Sequence, residues 1–132
     1  MSTLRGEIAA AHGLLIGTPE HNRAPPGLLK NVIDWLSGPA PEEILAAKPI
    51  AINRASGGPW GTRLAQAALR QVLSSTESLL SPSPMLFVRE CTGMFDRSGR
   101  LTDEQTRLRL AALPDAFARW IVLVSPGASG LR

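Results

Sequence analysis

Tyrosine is absent from this chain, and its 132 residues include only one cysteine and two histidines. The single cysteine, Cys91, excludes an internal disulfide and is typical of a reducing compartment, so we expect a cytoplasmic protein. No apolar run is long enough to cross a bilayer. The first residues are a poor match to a signal peptide, because Glu7 and His12 interrupt their apolar part. We therefore expect no membrane partner.

Long runs of one charge are also missing. The chain has 14 basic and 11 acidic residues, for a formal net charge of +3. Its arginines are scattered, which indicates a solvated surface rather than a nucleic-acid-binding face. The length and the 44% apolar content fit one globular domain. We expect this domain to cover residues 1–124, and a Gly/Ser-containing flexible tail to follow over residues 125–132.

Three short apolar runs predict strands, at residues 14–17, 49–53 and 85–88. The first is continuously apolar, as expected for a strand buried on both faces of a parallel sheet. Segments with helical spacing alternate with these runs. This order predicts an α/β fold with a parallel sheet.

The helical segments are expected at residues 3–12, from 26 or 27 to 36, 62–75, and after residue 102. In the second and third, the spacing predicts that Leu28 and Leu64 face the core. Thr102 and Gln105 form the pattern of a capping box at the start of the last helix. Pro114 lies within that helix and is expected to kink or split it.

Two loops of unusual composition, residues 18–26 and 56–61, follow consecutive predicted strands. The carboxyl ends of parallel strands meet at one edge of a sheet, where ligands of such folds bind. We therefore expect the two loops to form one site. Gly57 and Gly58 lack a Cβ atom, so the backbone there can approach a ligand closely.

The first loop and the helix after it carry a family pattern. Residues 18–37 read T-P-E-H-N-R-A-P-P-G-L-L-K-N-V-I-D-W-L-S. They resemble the pattern T-P-E-Y-N-x-S-x-P-G-x-L-K-N-x-x-D-W-x-S of the NADPH-dependent FMN reductase family, which comprises flavodoxin-like quinone and azo-dye reductases. Residues 48–61, with Ser-Gly-Gly, resemble its second loop, and residues 95–103 resemble its closing F-D-x-x-G-x-L-T-D. Three matches in the right order identify the chain as a member.

The resemblance implies an oxidoreductase that binds FMN and NAD(P)H. A hydride would pass from NAD(P)H to FMN, and electrons would then pass to a small-molecule acceptor such as a quinone or azo dye, with no acid–base residue strictly required. It also implies a homo-oligomer that uses the helix between Lys30 and Ser37. The residues implied at the flavin ring are Pro19, Glu20, His21, Asn22, Ser56, Gly57 and Gly58.

Two positions depart from the family pattern: His21 replaces its tyrosine, and Ala24 replaces its serine. The imidazole of His21 could pack on the flavin and, when positively charged, favour the reduced cofactor. Alternatively, His21 is an exposed loop residue without a role.

The resemblance further implies that the chain lacks the first two strands of the flavodoxin-like three-layer fold and the loop that holds the FMN phosphate. On that basis, the isolated chain is expected to bind FMN weakly or not at all. A non-catalytic remnant that acts only as a dimerising or partner-binding module is the alternative. Flavin absorbance and NAD(P)H oxidation would distinguish the two.

Other chemistries have less support in the sequence. His12, Glu20 and His21 match no known spacing of metal ligands, so no metal site is expected. Ser56 lacks the glycine two positions before it that the G-x-S-x-G motif of hydrolases requires.

Overall fold

The computed structural model describes residues 2–38, 43–55, 63–82 and 86–125. Its parallel sheet contains four strands, and β2 lies in the centre, between β1 and an edge that β3 and β4 share. Ile50 of β2 pairs with Leu14 on one side and Leu80 on the other, and Asn53 pairs with Gly17 and Leu86 in the same way. The strands are β1 (Leu14–Gly17), β2 (Pro49–Ala55), β3 (Leu79–Leu80) and β4 (Leu86–Val88).

Helices alternate with the strands, so the expected α/β fold is confirmed. The α-helices are α1 (Ser2–Ala10), α2 (Gly27–Leu36), α3 (Arg63–Ser74) and α4 (Glu104–Val124), and a 3₁₀ helix covers Cys91–Met94. Within these described ranges, no helix combines the length and the apolar character needed to span a membrane.

The main core lies on the face of the sheet that carries Ile50 and Ile52. Buried residues of α1, α2 and α3 complete this cluster: Ile8, Ile33, Leu36, Leu69 and Leu73, with Leu45 from the loop before β2. Helix α4 contacts β2 and β4 instead. Its buried Leu113 and Phe117 do not belong to the first cluster, which indicates a second packed layer.

The strand predictions need three corrections. The prediction that β1 is buried on both faces is wrong, because burial alternates along it and Leu15 is 47% exposed. Strand β2 continues two residues beyond the expected end. Strand β3 has only two residues and was not predicted, because two apolar residues are too few to show the pattern of a strand.

Two helix-face predictions are also wrong. Leu28 is 76% exposed and Leu64 is 49% exposed, although both were expected to face the core. Both leucines lie to one side of the buried stripe of their helix, which passes through Ile33 and Leu36 in α2 and through Leu69 and Leu73 in α3. In α3, Ala65 and Gln66 are buried instead.

The predicted capping box is off by one residue. Asp103 is the N-cap of α4, and its carboxylate accepts a hydrogen bond from the Thr106 N–H at 2.7 Å. The Thr106 bonds lower the pKa of Asp103. The Thr102 hydroxyl donates instead to the Met94 carbonyl at 2.9 Å. Helix α4 also continues through Pro114 and is not split.

The third family motif forms the hairpin that leads into α4. Phe95 pairs with Leu101 across it. The Asp96 carboxylate accepts hydrogen bonds from the Ser98 hydroxyl at 2.6 Å and from the Arg100 N–H at 3.0 Å, and these bonds lower its pKa. Gly99 has φ +79°, which other residues adopt at a cost. The motif residues therefore have a structural reason for their spacing: they close a tight turn.

Candidate functional site

The carboxyl ends of the strands meet at one edge of the sheet. Gly17, the last residue of β1, pairs with Asn53, and Ala55, the last residue of β2, pairs with Val88, the last residue of β4. The loops that leave these ends therefore begin next to one another. This is the edge at which open parallel sheets bind ligands.

Glu20 connects the first loop to helix α3. Its Oε2 atom accepts a hydrogen bond from the Ala65 backbone N–H at 3.0 Å, and the contact is partly buried. Ala65 is the third residue of α3, so this N–H is one of the first four that the helix itself cannot satisfy. The carboxylate also lies at the positive end of the helix dipole. Glu20 thus fixes the first loop against the start of α3.

The next residues form a tight two-residue turn. His21 and Ala24 exchange backbone hydrogen bonds of 2.9 and 3.0 Å. Asn22 and Arg23 have φ values of +50° and +65°, as both central residues of a type I′ turn do. Asparagine tolerates this conformation, whereas arginine adopts it only under constraint. The turn holds the backbone of His21 and Asn22 in one arrangement.

The side chains at this turn are available to a ligand. Pro19, His21 and Asn22 are exposed. In the described part of the chain, neither His21 nor Asn22 makes a side-chain hydrogen bond. Glu20 is partly committed through its Oε2 atom to Ala65. Of the four loop residues, Glu20 is therefore suited to positioning and the others to direct contact.

Ser56, Gly57 and Gly58 lie outside the described residues, so their predicted contact with a cofactor stays a prediction. Helix α3 begins at Arg63, a few residues after them in the chain. Because Glu20 binds the first turn of that helix, the described residues connect the first loop to the element that follows the second.

Sequence reasoning missed several residues near this edge. Gln66 is only 1% exposed, and its Nε2 donates to the Leu86 carbonyl at 3.1 Å, which joins α3 to β4. Its position three residues before Leu69 and seven before Leu73 could have revealed it as part of the inner face. The Arg63 guanidinium lies over the Phe87 ring, 5.6 Å from its centroid, within the range of a cation–π contact.

No group of three or more His, Cys, Asp or Glu side chains is arranged to hold a metal ion within residues 2–38, 43–55, 63–82 and 86–125. The site described so far consists of backbone amides, one partly committed carboxylate and exposed polar side chains.

Comparisons with known proteins identify the family of the chain. The family model described as NADPH-dependent FMN reductase matches residues 1–93. A 2-hydroxy-1,4-benzoquinone reductase of a Burkholderia species is 39% identical over 115 residues, which cover 87% of this chain and 63% of that protein. An NAD(P)H-dependent FMN reductase of Pseudomonas aeruginosa is 39% identical over 117 residues, which cover 89% and 63%.

A solved structure shares the fold closely. FerB, a flavoenzyme NAD(P)H:acceptor oxidoreductase from Paracoccus denitrificans, superposes with a TM-score of 0.81 at 33% identity. The match covers 91% of this chain and 66% of the FerB chain. The matches therefore span slightly less than two thirds of the length of these relatives, between 63% and 66%.

Proposed function

Because the chain belongs to the NADPH-dependent FMN reductase family, we propose that it acts in hydride transfer from NAD(P)H to FMN and onward to a quinone-type acceptor. The family expected from the sequence motifs is confirmed. The observation that supports the activity most directly is the bond between Glu20 and the Ala65 N–H, because it fixes the first loop, which the family resemblance assigns to the flavin ring, to the helix that follows the second.

The described residues fit a planar cofactor at this edge. The exposed side chains of His21 and Asn22 lie on the type I′ turn, and the exposed Pro19 lies two residues before it. A constrained loop loses little conformational entropy on binding. When bound, FMN would accept a hydride and pass electrons on, which is chemistry that protein side chains do not supply.

The roles that we assign to the site residues come from the family resemblance and, for Glu20, from its hydrogen bond to Ala65. Glu20 holds the first loop against α3. Pro19, His21 and Asn22 would contact the ring, and the backbone of Ser56, Gly57 and Gly58 would approach its polar end, where amides stabilise negative charge. The single cysteine supports a cytoplasmic location.

The wild-type chain tests this proposal directly. The purified protein is titrated with FMN while flavin absorbance and fluorescence are followed, and NADH or NADPH oxidation is then measured with a benzoquinone acceptor. We expect saturable flavin binding and acceptor-dependent oxidation of the nicotinamide cofactor. A chain that leaves the flavin spectrum unchanged at every concentration and oxidises neither cofactor would contradict the proposal.

We also propose that α2 forms an interface between two copies of the chain. Leu28 and Trp35, which is 62% exposed, are seven residues apart and so lie on one face of the helix. Beside them, Lys30 and Asp34 form a salt bridge of 2.7 Å. An exposed tryptophan next to an apolar neighbour is typical of an interface centre.

The interface predicts a change in oligomeric state. Replacing Leu28 and Trp35 together by serine is expected to convert the dimer to a monomer, because it removes the apolar centre of the contact. Sedimentation velocity measures the change. A matched control is Leu108→Ser, at an exposed leucine of α4. A wild-type chain that sediments as a monomer throughout the concentration range, or a dimer that the double variant leaves intact, would refute the assignment.

A further inference from the structure

A buried glutamine lies in the first turn of α3, next to the residue that binds Glu20. Gln66 is 1% exposed, and its Nε2 atom donates a hydrogen bond to the Leu86 carbonyl at 3.1 Å. A flipped amide would place two acceptor oxygens against each other, so this carbonyl sets the orientation of the side chain. Gln66 therefore connects the start of α3 to the start of β4.

The other end of this amide is not satisfied. The Oε1 atom of Gln66 is buried and has no hydrogen-bond partner among the residues that the structure describes. The same holds for the Nε atom of Arg70 and the Nε1 atom of Trp120, but these two side chains reach the surface in part. A buried acceptor without a partner costs at least as much as one ordinary hydrogen bond contributes. Stability alone therefore does not account for a glutamine at this position.

The first turn of α3 is the point at which the elements of the candidate site meet. The Ala65 N–H donates to Glu20 of the first loop at 3.0 Å, and Gln66, the next residue, binds β4. The Arg63 guanidinium lies over the Phe87 ring of β4, 5.6 Å from its centroid. The location of the Ala65 N–H, and with it that of Glu20, thus depends on how this turn is held against β4.

A second polar side chain of α3 makes a similar contact farther from the site. The Arg70 guanidinium donates to the Ser81 carbonyl at 3.0 Å. Ser81 follows β3, which pairs with the first two residues of β2, whereas β4 pairs with its last three. Ligands of parallel sheets bind at the carboxyl ends of the strands. Gln66 therefore binds the sheet near the ligand edge, and Arg70 binds it one helical turn farther away.

We propose that Gln66 is a positioning residue of the flavin site. Its bond to Leu86 holds the first turn of α3, and this turn holds the first loop through the Ala65 N–H and Glu20. The assignment rests on the proposed reductase function, for which it identifies a residue that acts without touching the cofactor. Loss of the Gln66 amide then affects the first loop more than it affects the stability of the fold.

The effect on the first loop can be measured without flavin or nicotinamide. Gln66→Met keeps the length of the side chain and removes both the donor and the unpartnered acceptor. The amides of His21 and Ala24, which bond to each other's carbonyls, should exchange with solvent about three- to tenfold faster, the effect of losing one hydrogen bond. Arg70→Met is the matched control and should leave both exchange rates unchanged. Wild-type exchange rates in Gln66→Met would overturn the proposal.

Stability and flavin binding together distinguish positioning from a purely structural role. We expect the urea midpoint of Gln66→Met to stay close to that of the wild type, because the variant removes an unpartnered acceptor together with the bond. Its affinity for FMN should fall about three- to tenfold when measured well below the unfolding transition, again the effect of one hydrogen bond. Arg70→Met should keep the wild-type affinity. A Gln66→Met variant that loses stability but binds FMN as the wild type does would assign Gln66 a structural role only.

A double-mutant cycle tests whether Gln66 acts through Glu20. If it does, adding Gln66→Met to Glu20→Ala should weaken FMN binding no further. Equal effects of Gln66→Met in both backgrounds would reject this route. If the wild-type chain binds no FMN, the proposed function fails, while the exchange rates of His21 and Ala24 still test the positioning role. The two failures are therefore distinguishable.

Discussion

Replacing Glu20 by alanine is expected to lower the free energy of unfolding by about 1–2 kcal/mol, the usual cost of losing a side chain that caps a helix N-terminus. The variant leaves the Ala65 N–H without its acceptor in a partly buried position. It also releases the first loop from α3. Urea denaturation followed by circular dichroism measures the loss of stability.

The same substitution should reduce the free energy of FMN binding by more than it reduces the free energy of unfolding. Only the folded protein binds, so affinity measured well below the unfolding transition reports on the loop alone. Glu20→Gln keeps a neutral acceptor oxygen and is expected to fall between alanine and the wild type. Glu7→Ala, at an exposed acid of α1, is the control and should change neither quantity. Unchanged flavin affinity in Glu20→Ala would show that the loop keeps its position without the cap.

Truncation of Leu69 to alanine is expected to cost about 2–5 kcal/mol, the range for a buried leucine that leaves a cavity behind. Leu69 has no exposed surface and belongs to the cluster that joins α1, α2 and α3 to β2. Domains of this kind have a total stability of about 5–15 kcal/mol, so the variant loses a large part of it. The urea midpoint measures the effect.

Leu64→Ala is the matched control within the same helix. Leu64 is 49% exposed, and its truncation should cost less than about 1 kcal/mol because little buried surface is lost. The pair also tests the orientation of α3, since the helical pattern alone predicts that both leucines face inward. Similar losses in the two variants would mean that α3 is rotated relative to the sheet.

The sequence predicts the order of elements well and the detail of their faces less well. Strand β1 is confirmed at the predicted residues, and α2 and α3 begin and end within a residue or so of the expected limits. These limits depend on local chemistry, namely prolines, glycines and apolar runs. Burial depends on what packs against an element, and for this reason the sequence does not reveal that Leu15, Leu28 and Leu64 are exposed.

The same distinction between local sequence and tertiary packing applies to the candidate site. The motif identified the first loop, and the parallel topology correctly predicted that strand ends meet at one edge. The capping role of Glu20 could not be predicted, because residues 20 and 65 are brought together only by the tertiary fold. The sequence offers both Thr102 and Asp103 as the N-cap of α4. In the structure Asp103 caps the helix, and the Thr102 hydroxyl donates to the Met94 carbonyl.

The edge of the sheet that β3 and β4 share has a consequence for self-association. Between Ile50 and Asn53 of β2 the register advances three residues, while its partners advance six, from Leu80 to Leu86. Pro82 follows β3 and has no N–H to offer a neighbouring strand. Over the described residues 79–82 and 86–88, this border therefore presents no continuous ladder to a foreign polypeptide, a feature that natural sheets use against amyloid-like stacking. A substitution at Pro82 that restored a donor would weaken this protection.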